Sequence, residues 1–449
     1  MTLTTQGNKT LNLAYPIIFG ELAQIALGLI DTAMVGAVSY KHLAAAALVG
    51  SVMTIPFVMG VGITIAVSQL VSQANGQRDS QLVSHYLFNG FCLSAIAALL
   101  ISLGLELGKD VLFHLNQDPE VAMLAVPYLR LVGWSIIPML LFIALKQFAD
   151  GLEYTKTAMI LSLIALPLNF FLNWVLIFGN LGFPRMELVG AGWGTFITRA
   201  VIFIILGLVV LRHSTFTRYV AVRKKQWIIK WKTIKELLHI GIPSSMQISM
   251  EAGAFAVSGI LVGTIGAVEQ AAHQIALTLA SVTFMAMLGF SQAASIRTSN
   301  AFGRKNWPLI SLISRSSMVV ALGYGIVCAL IFILFKNQLP YIFNDNLEVV
   351  TLSALLLLYA GIFQISDSIQ AISAGLLRGI KDVRVPTLFI FIAYWVVGLP
   401  IGCLLAFTFD MGAVGIWTGF IVGLTVSAIF LYLRVKKLTF SEKVGITTK

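Results

Sequence analysis

The sequence predicts an all-α polytopic membrane protein with twelve transmembrane helices, arranged as two pseudo-symmetric six-helix bundles around a central cavity. Three observations carry this reading. Of the 449 residues, 58% are hydrophobic and only 11% are charged, and the mean hydropathy is +0.90, more apolar side chain than a soluble core of this size can absorb. The apolar residues fall in long runs. Crossing about 30 Å of hydrocarbon at about 1.5 Å per residue takes roughly 20 residues, and the chain holds twelve stretches of that length. Finally, Lys and Arg are concentrated in alternate connections between the runs.

The first half is expected to span at 11–37, 43–73, 81–108, 120–148, 155–180 and 187–211. The second is expected to span at 236–264, 268–298, 308–335, 347–377, 384–409 and 412–434. The first run exceeds a signal-peptide core and contains Glu21 and Asp31, so it reads as a retained span. Turn chemistry separates several of the others, as in NGQRD at 75–79, NQDPE at 116–120 and NDN at 344–346. Cys92, Cys328 and Cys403 lie inside apolar runs without metal-ligand spacing and are read as packing residues.

Counted over alternate connections, 22 Lys and Arg fall on one side, against Lys41, Lys109, Arg185 and Lys336 on the other. That bias places both termini in the cytoplasm and the protein in the plasma (inner) membrane. It also accounts for the net charge of +11 through cytoplasm and anionic lipid headgroups, so no nucleic-acid partner is expected. The longest connection, 212–235, is the most basic. It is expected to be a cytoplasmic linker, with an interfacial amphipathic helix using Trp227 and Trp231 as a refinement. The resulting organisation is a first lobe at 1–211, the linker at 212–235, a second lobe at 236–434 and a tail at 435–449.

The halves repeat weakly. Pro16 matches Pro243, NGQRD at 75 matches FGRKN at 302, DGL at 150 matches AGL at 374, and GAGWGT at 190 matches GAVGIWTG at 412. Six spans is an even number, so both halves insert in the same direction, related by an axis along the membrane normal.

Polar residues inside the apolar runs point to function. A charge at the centre of a membrane helix costs about 2.5–3.5 kcal/mol on insertion scales, so it is kept for a partner, a proton or an ion. Glu251 sits near the middle of such a run, among Ser244, Ser245, Gln247, Ser249 and Ser258. Measured from the cytoplasmic ends, Glu251 lies roughly 22 Å deep and Asp367 roughly 15 Å. Ser249, Gln364, Ser366 and Ser368 are expected to add the oxygen ligands that a hard cation such as Na+ takes. In the first half, Asp31 lies roughly 30 Å along its helix, and Asn169 and Asn173 lie roughly 21 and 27 Å along theirs, i and i+4 on one face. Glu21 and Arg199 match in depth at roughly 15 and 18 Å and are expected to form a structural ion pair. His273 reads as a hydrogen-bonded packing histidine. No HExxH, GxSxG, phosphate loop or paired Cys and His motif occurs, so neither an enzyme nor a cofactor is expected.

Five segments carry a family resemblance: GLIDTAMVG at 28–36, PLNFFLNW at 167–174, the helix bearing Glu251, AAHQIA at 271–276 and FQISDSIQAISAGLLRGIKD at 363–382. With these in order over essentially its whole length, the chain resembles the multidrug and toxic compound extrusion (MATE) family, of the bacterial NorM-like type. The resemblance implies antiport by alternating access, in which entry of Na+ or H+ drives export of amphipathic, often cationic, small molecules from a monomer surrounded by lipid. It also implies that Glu251 and Asp367 are the coupling-ion carboxylates of the second lobe and Asp31 that of the first. Relatives often carry Tyr where this chain has Phe363, and one branch carries Asp where it has Asn173. The alternative is a lipid-linked saccharide flippase of the same superfamily. Its pyrophosphate cargo favours Arg and Lys in the cavity, and the intramembrane basic residues here are Arg130, Lys146, Arg199 and Arg315.

Overall fold

A computed structural model describes residues 2–114, 118–221 and 226–440. It contains twelve helices long and apolar enough to cross a membrane. In the first half these are α1 (Leu3–Gly36), α2 (Tyr40–Gly76), α3 (Ser80–Leu107), α4 (Pro119–Gly151), α5 (Thr155–Phe178) and α6 (Glu187–Arg212). The second half has α7 (Trp231–Ile265), α8 (Ala267–Gly303), α9 (Trp307–Phe335), α10 (Leu347–Gly379), α11 (Arg384–Thr408) and α12 (Gly412–Phe440). Apolar surroundings offer the backbone no partner but itself, so each run closes its N–H and C=O groups internally as a helix. Polar residues set the starts: Asp79 caps α3, Asp118 precedes Pro119 at the head of α4, and Asn346 accepts from Glu348 N and Val349 N to open α10.

The internal repeat is visible in the turns. Arg78 and Lys305, at φ 60° and 54°, follow α2 and α8 in the left-handed region, and Asp79 N→Ala74 O at 3.1 Å matches Asn306 N→Ala301 O at 3.0 Å. After α4 and α10 the same device recurs. Glu153 and Lys381 take φ 68° and 65°, and Tyr154 N→Ala149 O matches Asp382 N→Leu377 O, both at 2.9 Å. This register corrects the expected match of DGL at 150 to AGL at 374. The turns pair Asp150-Gly151 with Arg378-Gly379, and a Cβ on either glycine would press on a serine carbonyl of the neighbouring helix, Ser68 O at 2.7 Å or Ser295 O at 2.8 Å. Backbone turn and close helix approach persist between the halves, whereas the side chain before the glycine has changed sign.

Two helices depart from regular geometry for local reasons. α4 breaks at Ser135, where Pro138 removes the N–H that would bond the carbonyl four residues earlier. α11 contains π-turns at Ile392–Gly398 and Leu404–Thr408 around Pro400. Its glycines Gly398 and Gly402 face Gly419 of α12, where a Cβ would stand 2.5 Å from Gly398 O. Small residues here let two backbones touch.

The chain divides into two compact units, Phe19–Ser245 and Met1–Ile18 with Met246–Lys449. That division differs from the expected lobes at α1 and α7, each of which changes unit shortly after its proline, Pro16 or Pro243. Gln6 O and Thr10 of α1 accordingly bond Arg297 of α8, while Ser245 Oγ of α7 donates to Met59 O of α2 at 2.8 Å. Of the expected linker and tail, residues 222–225 and 441–449 lie outside the described residues. Among the described residues no single interfacial helix carries both tryptophans: 227–230 has no regular secondary structure, Trp227 stacks on Phe88 at 5.5 Å, and Trp231 begins α7. His85 and Asn89, one turn apart on α3, bond this strap through Gln226 O, Thr233 and Ile228 O.

Candidate functional site

In the second unit, α7 and α10 bring Glu251 beside Gln370. Gln370 Nε2 donates to Glu251 Oε1 at 2.6 Å and to the Tyr394 hydroxyl of α11 at 3.1 Å. Asp367 lies three residues before Gln370, on the same face of α10. It is 6% exposed, its carboxylate forms no ion pair or hydrogen bond among the described residues, and it interacts electrostatically with Glu251. Glu251 is half-buried, so the pair combines one carboxylate reachable from outside with one held in the helix packing. The Ser249 and Ser368 hydroxyls are buried without hydrogen-bond partners. Gln364 and Ser366, also expected to face the ion, are engaged between helices. Gln364 Nε2 donates to Thr283 Oγ1 at 2.9 Å and Ser366 bonds Thr425 at 2.9 Å. Phe363 stacks on Trp417 at 5.6 Å, and Trp417 Nε1 donates to His273 Nδ1 at 3.1 Å. No set of three His, Cys, Asp or Glu converges among the described residues. The donor set is two carboxylates with neutral oxygens, suited to a proton or a monovalent hard cation.

In the first unit, Asp31 of α1 meets α5 and α6. Its Oδ1 accepts from Asn173 Nδ2 at 2.6 Å and its Oδ2 from Thr195 Oγ1 at 3.0 Å. Asn169 Oδ1 accepts a second contact from Asn173 at 3.3 Å, and Asn173 Oδ1 is buried without a partner. Gly194 makes the arrangement possible, since a Cβ there would collide with Asn173 Oδ1. The expected pairing of Glu21 with Arg199 is corrected. Glu21 Oε1 instead accepts from Lys146 Nζ at 2.7 Å, and Arg199 Nη1 donates to Ser135 Oγ at 2.6 Å within electrostatic reach of Asp31. Matching depth selects partners only up to rotation about the helix axis, and rotation places Lys146 opposite Glu21.

Sequence reasoning missed several of these residues. Gln370 and Thr195 looked unremarkable as uncharged polar residues, although Gln370 shares a helical face with Asp367. Asp150 belonged to a repeat motif but was not read as charge-bearing. It is fully buried, and both its oxygens lack hydrogen-bond partners. Arg378 was counted with the cytoplasmic connections, yet it is 6% exposed and its Nε has no partner.

Comparison with known proteins agrees with the twelve-helix architecture and the repeat. The MatE family profile matches residues 16–175 and 243–404, one stretch in each half. The chain belongs to the multidrug and toxic compound extrusion family. Among MATE relatives, it is 34% identical over 435 residues to the probable multidrug resistance protein NorM of Rhizobium meliloti (strain 1021), covering 96% of this chain and 93% of that protein. It is also 34% identical over 436 residues to the multidrug resistance protein MdtK of Yersinia pseudotuberculosis serotype O:1b (strain IP 31758), covering 96% and 95%. The fold matches the eukaryotic MATE transporter AtDTX14 with a TM-score of 0.88 at 23% identity, over 96% of both chains. An outward-facing multidrug resistance MATE transporter of the MOP superfamily matches with the same score at 19% identity, over 97% of both. This MATE protein is therefore a multi-pass membrane transporter of the multidrug efflux class.

Proposed function

We propose that the protein is a secondary antiporter of the plasma (inner) membrane, exporting amphipathic cations in exchange for Na+ or H+, with Glu251 and Asp367 as the coupling-ion site. The observation that carries the reading is the Glu251–Gln370 contact beside Asp367. Two carboxylates share one small region, the acid that is bonded takes a neutral amide, and neither has a salt-bridge partner among the described residues. Uncompensated acids in a low-dielectric setting take up a proton or a cation. Gln370 orients Glu251 without neutralising it, and Tyr394 orients Gln370 in turn.

Antiport follows from competition. A site that binds either the coupling cation or, directly or through the lobe arrangement, the cargo links the two through differential affinity. The names of the relatives, multidrug resistance proteins, favour efflux over the flippase alternative. So does Lys146, which is tied to Glu21 rather than free for an anion.

The test is efflux of ethidium from everted vesicles under imposed Na+ or H+ gradients. Glu251→Gln and Asp367→Asn keep shape and hydrogen bonding but remove charge. Each is expected to cut gradient-driven export by roughly tenfold or more while expression stays at the wild-type level, as expected where a 1–3 kcal/mol coupling is lost. Normal coupled export by both single variants rejects the site.

A further inference from the structure

Arg378 poses a question that the coupling site leaves open. It stands in the last turn of α10, 6% exposed, with its Nε buried and unpartnered and no side-chain hydrogen bond or ion pair among the described residues. Such a buried cation is costly to keep without compensation. The group within its electrostatic reach is Glu251.

The first half shows what such a base does when it closes on its acid. There α1 supplies Glu21, α4 supplies Lys146, and the two meet at 2.7 Å. In the second half the equivalent helices, α7 and α10, also supply one acid and one base, but at shifted positions. By the turn register Arg378 replaces Asp150, four residues nearer the helix end than Lys146. By the Pro16 and Pro243 match, Glu251 lies three residues deeper than Glu21. Seven residues at about 1.5 Å separate acid and base by about 10 Å more along the helices than in the first half. Gln370, eight residues before Arg378, occupies the contact instead. Helical side chains lean toward the N-terminus of their helix, so Arg378 leans from the end of α10 toward Gln370 and Glu251.

We propose that Arg378 is a tethered counter-cation for Glu251, competing with the coupling ion for that carboxylate. The assignment rests on Glu251 and Asp367 being the coupling site. Charge arithmetic fits it: two carboxylates and one guanidinium leave a single negative charge for one monovalent cation. When the ion departs, Arg378 keeps Glu251 compensated, so the empty site does not hold a bare pair of acids. Its presence also weakens ion binding, which favours release. Among the described residues, the other titratable groups within electrostatic reach are Tyr394 from α11, near both acids, and Tyr324 and Cys328 from α9, near Asp367. None of these carries a positive charge.

The test uses the purified full-length protein in detergent. Binding of radiolabelled Na+ is measured at fixed pH, and, without Na+, ethidium binding is titrated across neutral pH. Variants are Arg378→Gln, Arg378→Lys, Glu251→Gln and the double variant Arg378→Gln with Glu251→Gln. Arg378→Gln is expected to bind whichever cation wild type binds through Glu251 roughly 5-fold or more tightly, with Arg378→Lys between the two. In the double variant, Arg378→Gln should add nothing to Glu251→Gln, a non-additivity that a purely structural role does not produce. An unchanged or weaker midpoint in Arg378→Gln, or an effect that persists without Glu251, overturns the assignment. If the Gln variant does not accumulate, Arg378→Lys carries the test, and an unchanged midpoint there overturns it. Failure of the underlying site looks different: Glu251→Gln alone then leaves both cation responses intact.

Discussion

Lys146 supplies one ammonium to two carboxylates, bonded to Glu21 at 2.7 Å and within electrostatic reach of Asp150. Removing it leaves both acids without a positive neighbour, and breaking a buried pair from one side costs roughly 3 kcal/mol or more. Lys146→Met is therefore expected to lower the thermal unfolding midpoint of the purified protein clearly. Adding Glu21→Gln and Asp150→Asn should recover much of the loss, because the neutral amides no longer need a cation. A triple variant as unstable as the single one would show that Lys146 acts through packing of its stem instead. At this scale the sequence singles out residue types. Glu251, Asp367 and Asp31 stand out because an acid in an apolar run is expensive, whereas Gln370 and Thr195 cost less to bury and give no comparable signal.

Among the helices, close backbone approach is decided by glycine, and two positions separate the possibilities. A Cβ on Gly419 would meet Gly398 O and Gly402 Cα at 2.5 Å, both parts of a backbone that cannot swing aside. A Cβ on Gly323 of α9 would meet nothing within 4 Å. Gly419→Ala is expected to destabilise by about 1–3 kcal/mol through forced separation of α11 and α12. Gly323→Ala should be neutral or slightly stabilising because it gains helix propensity. Comparing their unfolding midpoints checks the contact, and equal midpoints would argue against it. Helix limits were largely legible from apolar run length, since the bilayer thickness sets them. The broken α4 and the π-turns of α11 were foreshadowed only by Pro138 and Pro400. A proline frees a carbonyl, but the neighbouring helices determine how the break is absorbed.

For the whole molecule, the 22-to-4 partition of basic residues predicts that both termini lie in the cytoplasm. A reporter fused at Asn344 is expected to report the outside, and one fused after the first few residues the inside. A cytoplasmic signal at Asn344 would reverse the orientation. The repeat extends to the turns after α2, α4, α8 and α10, yet charge does not follow it. Asp150 and Arg378 share a position with opposite sign, and the acids Glu21 and Glu251 stand about a turn apart in depth. The halves thus keep one backbone plan while their polar residues have separated: one α1/α4 pair is closed by Lys146, and one α7/α10 pair is left open around Gln370.

By itself, the sequence determined the twelve spans, the two-fold repeat and the acids worth attention. Each follows from the energetic demands of a bilayer on single residues and single helices, whatever their neighbours. The tertiary structure alone decided pairing: Glu21 with Lys146 rather than Arg199, Asp31 with Asn173 and Thr195, Glu251 with Gln370. Depth can be counted along a chain at a fixed rise per residue, but which side chain faces which depends on helix rotation and on glycine-permitted approach. Those are set by packing between segments distant in sequence.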